Sequence, residues 1–116
     1  MYICKLNLSN LGKKEFLKYL DKNNLERIRL RITVENGKVV DIVVQYETKI
    51  EGKWTPIVRY DCSHGFLHRD VMHPNGDKDK QVLTFDSLEM ALTYAEQDFK
   101  DRWEFYKNRY LKKRKK

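Results

Sequence analysis

The sequence predicts an α+β domain: an antiparallel β-meander of about five strands, one face covered by a long C-terminal helix, with a short helix at the N-terminus. Three observations lead there. From Glu26 onward apolar residues alternate with polar ones, the period of strands with one buried face. Turn signals separate those runs at Asn36-Gly37, Glu51-Gly52 and Pro74-Asn75-Gly76-Asp77. From Leu88 to Tyr110 the apolar spacing changes to three and four residues, as on a helix laid against a core.

In chain order, Leu11 to Asn24 (LGKKEFLKYLDKNN) reads as the short helix. Phe16, Leu17 and Leu20 line one side, lysines the other, and Asn23-Asn24 ends it. Glu26 to Val34 is a strand in which Ile28, Leu30, Ile32 and Val34 alternate with Arg27, Arg29, Arg31 and Thr33. Val40, Ile42, Val44 and Tyr46 repeat the pattern. A two-residue loop between them would pair Ile32 with Asp41. A three-residue loop, Glu35-Asn36-Gly37, pairs Ile32 with Val40 and Leu30 with Ile42, and is the expectation. It sets Arg31 opposite Asp41.

The turn at Glu51-Gly52-Lys53 is likewise expected to be of odd length, so that Tyr46 shares a face with Val58 and Val44 with Tyr60. A third strand runs from about Trp54 to Asp61, with Pro56 near an edge or bulge. A loop at Ser63 to Phe66, a short strand near His68 to His73 and a last strand from Gln81 to Phe85 follow. Asp86 is the expected helix N-cap, Glu89 completes a capping box, and Phe85 with Met90 forms a staple. The helix stripe is Leu88, Leu92, Ala95, Phe99, Trp103, Tyr106 and Tyr110.

Composition supports one domain, residues 1–110, with a basic tail at 111–116. The chain has 116 residues, 41% hydrophobic, with two Trp, seven Tyr and five Phe, enough for one core. No apolar run reaches the roughly 18–20 residues of a membrane span. The opening residues MYICKLN lack a basic segment followed by an apolar one, so no secretory signal is expected. Two cysteines, Cys4 and Cys62, are too few for a disulfide scaffold. A cytoplasmic location follows as the expectation. Residues 101–116 hold eight Lys/Arg and two acids, a net of +6 out of the chain's +7. The basic end, Lys112, Lys113, Arg114, Lys115 and Lys116, attracts polyanions by counterion release, though cations also favour any helix C-terminus.

Reactive groups gather in one segment. His64, His68 and His73 fall within ten residues, beside Arg59, Asp61, Arg69 and Asp70. This mixture suits RNA cleavage without metal. A base takes the 2′-hydroxyl proton, an acid protonates the leaving oxygen, and a cation balances the phosphorane. His64 and His68 fit the first two roles, since imidazole titrates near neutrality. Arg59 or Arg69 fits the third through forked donation to phosphate. Asp61 or Asp70 would hold a ring in one tautomer, and Gly65 would let backbone approach phosphate. Tyr60, Arg69, Lys112, Lys113 and Arg114 are the expected nucleic-acid contacts. No metal or other cofactor is expected. A mixed site of His64, His68 and Asp70 or His73 remains an alternative. So does a structural role, with the histidines bonded to loop carbonyls, Asp61 capping the turn and Asp70 paired to an arginine. Arg27, Arg29 and Arg31 form an outward stripe, read first as a solvated face partly paired with Asp41 and Glu47 and second as an RNA platform.

The run from Val43 to Asp70 (VVQYETKIEGKWTPIVRYDCSHGFLHRD), followed by a turn, a strand and a Leu/Ala-containing helix, resembles a family of small uncharacterised prokaryotic domains. These share an RYD-x-x-HG-x-x-H-x-D core, matched here by Arg59, Tyr60, Asp61, His64, Gly65, His68 and Asp70. The likeness covers residues 26–110. More distantly, the layout is similar to the TumE-like toxins of type II toxin–antitoxin systems. That resemblance implies a translation-blocking ribonuclease neutralised by a small antitoxin protein. RNA is then the expected partner, with an antitoxin and a second copy of the chain as further candidates, and no membrane. The alternative is a non-catalytic nucleic-acid-binding or protein-interaction module.

Overall fold

The computed structural model describes residues 11–62 and 66–114. Six strands, β1 (Leu11–Tyr19), β2 (Glu26–Glu35), β3 (Lys38–Ile50), β4 (Lys53–Asp61), β5 (Leu67–Met72) and β6 (Lys78–Leu83), precede one helix, α1 (Leu88–Arg114). The strands form one antiparallel sheet in the order β1-β2-β3-β4-β5-β6. The α+β meander under a long helix is as the sequence predicts, with one strand more.

The extra strand replaces the N-terminal helix. Residues 11–19 pair along the whole of β2, from Leu11 opposite Glu35 to Tyr19 opposite Arg27. Helix spacing in this segment rested on Phe16, Leu17 and Leu20, yet Phe16 and Leu17 are about half exposed and only Leu20 packs against the core. What decides is the open edge of β2, whose backbone groups β1 satisfies. The link to β2 is held by Asp21, whose Oδ1 accepts from the Leu25 and Glu26 amides at 3.0 and 3.1 Å.

Both central hairpins have two-residue loops, not three. Asn36-Gly37 and Glu51-Gly52 take left-handed φ values of 52° and 81°, and of 52° and 78°, the signature of a type I′ turn. A bulge then corrects each register. Val34 pairs with Val39 but Thr33 with Asp41, so Val40 is the additional residue. Glu47 pairs with Pro56 but Tyr46 with Val58, so Ile57 is the additional residue. The observed partners are therefore Ile32–Ile42 and Leu30–Val44, not Ile32–Val40 and Leu30–Ile42. Asp41 faces Thr33, while Arg31 meets Glu15. Val44–Tyr60 and Tyr46–Val58 pair as expected, and Pro56 sits beside the bulge.

The core lies between α1 and one sheet face. Ile28, Leu30, Ile42, Val44, Tyr46, Val58, Tyr60 and Leu67 meet Ala91, Ala95, Phe99 and Tyr106. The Phe99 ring centroid is 6.0 Å from that of Tyr46 and 5.5 Å from that of Tyr60. Leu88, Leu92, Trp103 and Tyr110 pack around this centre, completing the predicted stripe. No described element covers the other face. Ser87 rather than Asp86 caps α1: its Oγ accepts from the Met90 amide at 3.1 Å and its carbonyl from Ala91. Residues 111–114, expected in the tail, are the last helical residues.

Ser87→Ala should therefore lower stability by about 1 kcal/mol, the usual cost of a lost N-cap. Asp86→Ala should cost only a few tenths, and urea unfolding of the two variants separates the assignments.

Candidate functional site

Strand alternation sorts the candidate residues onto opposite faces. In β4, Val58 and Tyr60 point under α1, so Arg59 and Asp61 point outward. In β5, His68 pairs with Asp61 and Asp70 with Arg59, which places all four on the outer face. Paired residues on one face have neighbouring side chains. His68 Nε2 lies 3.1 Å from Asp61 Oδ1, and its Nδ1 lies 3.7 Å from Asp70 Oδ1. Arg59 Nε donates to Asp61 Oδ2 at 2.8 Å. Asp61, His68 and Asp70 are 7%, 5% and 2% exposed. The Arg59 side chain is 38% exposed.

The cluster continues across the sheet. Arg59 Nη1 donates to Gln45 Oε1 at 3.4 Å, and Gln45 Nε2 to Glu47 Oε2 at 2.6 Å. Glu47 takes Arg27 at 2.7 Å and Arg29 at 3.4 Å. Arg27 lies over the Trp54 ring, 3.8 Å from its centroid, a close cation–π contact. On the far side Lys78 Nζ stands 3.7 Å from Asp70 Oδ2. Arg27 and Arg29 of the stripe thus pair with Glu47, as expected, and reach the cluster through Gln45, which the sequence did not suggest. Arg31 pairs with Glu15 instead, and Asp41 with Cys62.

His64 and Gly65 lie outside the described residues, as do Lys115 and Lys116. Tyr60 is corrected: it is fully buried, its hydroxyl donating to Asp98 Oδ2 at 2.6 Å, and its ring has no face left for a base. Arg69 is corrected likewise. It points under α1, donating to the hydroxyls of Tyr60 and Tyr106 at 3.3 and 3.4 Å and also to Gln81. His73 bonds to Asp79 at 3.0 Å and meets Lys113 Nζ at 3.0 Å, while Arg114 pairs with Glu51 at 2.8 Å. Lys113 and Arg114 therefore sit at the sheet end opposite the β4–β5 connection; Lys112 is exposed beside them.

Asp98 is the second buried polar centre. It accepts from Tyr60 and from Tyr106 at 2.7 Å, with Arg69 3.6 Å away. Its only signal in the sequence is an acid set inside an apolar helix stripe. Burial opposes the charge of Arg69, but the Tyr60 hydroxyl, Tyr106 and Asp98 outweigh it and raise its pKa. Burial, and then the hydrogen bond to Asp98, push the Tyr106 phenol up to about 12 and Tyr60 in the same direction. Cys62, bonded to Asp41 at 2.8 Å, is pushed up to about 11 by burial and that carboxylate. It stays a thiol at neutral pH and makes a poor nucleophile.

A family model described as a domain of unknown function (DUF7718) matches residues 11–116. The chain belongs to that family. This bears out the expected kinship with an uncharacterised domain family. The DUF7718 match takes in all six strands and α1, hence both polar centres. Comparisons with curated proteins and with solved structures found no match. No helix among the described residues of this DUF7718 domain is long and apolar enough to cross a membrane.

The tyrosine shifts fix a pH dependence. Folded Tyr106 holds its proton above the ordinary value of 10.0, so its stabilising contribution is complete below about pH 10 and is lost as pH rises towards 12. The urea midpoint should fall steadily across that window, and Tyr106→Phe should make the decline shallower.

Proposed function

We propose that this chain acts on RNA as a toxin-type ribonuclease, with the scissile phosphate against the outer sheet face where Arg59 borders Asp61, His68 and Asp70. The observation that carries the reading is the convergence of these four side chains on the face α1 leaves open. Register adds a basic surface around them. Arg29, Gln45, Arg59, Asp70 and Lys80 follow one another across β2 to β6 in one row, with Arg31 in the next. Guanidiniums spaced across a sheet suit a sugar–phosphate backbone.

In this reading Arg59 balances charge on the phosphate, held in place by its Nε bond to Asp61 and its Nη1 bond to Gln45, with part of its side chain exposed to solvent. The cluster supplies the reacting groups. The two-imidazole scheme drawn from the sequence depends on His64 as the second proton carrier. An antitoxin would act by covering this same face.

One observation favours the non-catalytic alternative: His68 is nearly buried and held by Asp61, which restricts its access to a substrate. Labelled RNA incubated with the wild-type chain and two variants separates the readings. If the nuclease reading holds, His68→Ala lowers cleavage by at least about 100-fold, the usual worth of positioned proton transfer, with RNA binding kept. Arg29→Ala with Arg31→Ala should weaken binding and flatten its salt dependence. Intact RNA with the wild type, bound in a salt-dependent way, would leave only the binding module. Growth arrest on expressing the wild type but not His68→Ala is the matching result in cells.

A further inference from the structure

The outer cluster contains a gap between electron-rich atoms. One donor atom each from Asp61, His68 and Asp70 lies within 4.8 Å of the others, and all three residues are buried. Burying carboxylates side by side is costly unless cations share them. Arg59 answers Asp61, and Lys78 stands near Oδ2 of Asp70. Oδ1 of Asp70 is different. It is buried, accepts no hydrogen bond among the described residues and faces the imidazole at 3.7 Å, too far for a hydrogen bond.

We propose that this gap binds a divalent cation of the zinc or manganese kind, with His68 Nδ1 and Asp70 Oδ1 as direct ligands. Asp61 orients the ring by accepting from Nε2, 3.1 Å away. That arrangement, a metal-bound imidazole whose second nitrogen donates to a carboxylate, fixes the tautomer and raises ligand basicity. Two ligands about 2.1 Å from one ion lie roughly 3.0–3.4 Å apart, so a small side-chain rotation closes the observed gap. The donor set decides the class of ion. Imidazole with carboxylate suits Zn²⁺ or Mn²⁺, whereas Mg²⁺ and Ca²⁺ prefer oxygen alone. Remaining coordination positions are filled by water or by a phosphate oxygen, the latter next to Arg59.

A His68 ring holding the cation through Nδ1 and Asp61 through Nε2 carries no proton to a substrate. For this side chain cation binding therefore stands in place of the proton transfer proposed above, and it is measured without RNA. Calorimetric titration of the full chain with ZnCl₂, repeated with MnCl₂, should show one saturable site for at least one of them. Asp61→Asn should weaken it by about 10- to 100-fold, Asp70→Asn should abolish it, and His73→Ala and Cys62→Ser should leave it unchanged. Asp70→Asn is checked for folding by circular dichroism. Nitrogen-15 spectra of the wild-type imidazoles need no variant: Zn²⁺ should shift Nδ1 of His68 and leave Nε2 protonated. Absence of a saturable site for both ions, equal affinity in folded Asp70→Asn, or an unmoved His68 signal at saturation would each overturn the proposal.

Discussion

Register is the constraint on which the rest of this molecule depends. In β2 to β5 alternate residues serve two different purposes, core beneath α1 and polar cluster on the opposite face. A slip of one residue would push Asp61, His68 and Asp70 into the helix interface and turn Tyr60 and Leu67 out to water. The two tight turns alone would give the wrong phase, setting Ile32 against Asp41. Bulges at Val40 and Ile57 each add one residue and restore it. Turn and bulge thus act as a pair, one fixing where the chain reverses and the other which side chains face inward.

The helix that closes the core also steadies the opposite face. Tyr60 lies between Arg59 and Asp61 in the chain, and Arg69 between His68 and Asp70. Both are anchored beneath α1 by Asp98. A second anchor joins Tyr46 to Glu26 at 2.7 Å and Glu26 to Lys107 at 2.6 Å. Removing one partner of such a buried pair typically costs about 3–5 kcal/mol, because the other charge is left without compensation. The side chains of the outer cluster are therefore carried on strands whose reverse sides are fixed by buried charge, the kind of support a precise site requires.

Most of the architecture was legible in local sequence because alternation, turn residues and helix spacing agree from Glu26 to Tyr110. The segment Leu11–Tyr19 was not. Its spacing fits a helix, and the open flank of β2 that recruits it is a long-range fact. The bulge at Val40 escaped notice for a related reason, since an odd loop and a tight turn plus a bulge leave the same alternation, whereas Pro56 already pointed to the bulge beside it. At the site, Asp61, His68, Asp70 and Arg59 could be grouped from their clustering alone. Tyr60 and Arg69 were misplaced although strand parity already sets them opposite their neighbours. Asp98 had no local signature beyond its place in the stripe.

Among the described residues, no strand pairs with the outer border of β1, nine residues long. Phe16, Leu17 and Tyr19 are exposed there, and a border of this kind readily recruits another strand. Lys13 and Lys14 stand on the same strand, also exposed, so two such borders repel. This guard is purely coulombic. It fades as the Debye length contracts from about 10 Å at 0.1 M salt to about 3 Å at 1 M, and concentrated electrolyte turns the same border adhesive.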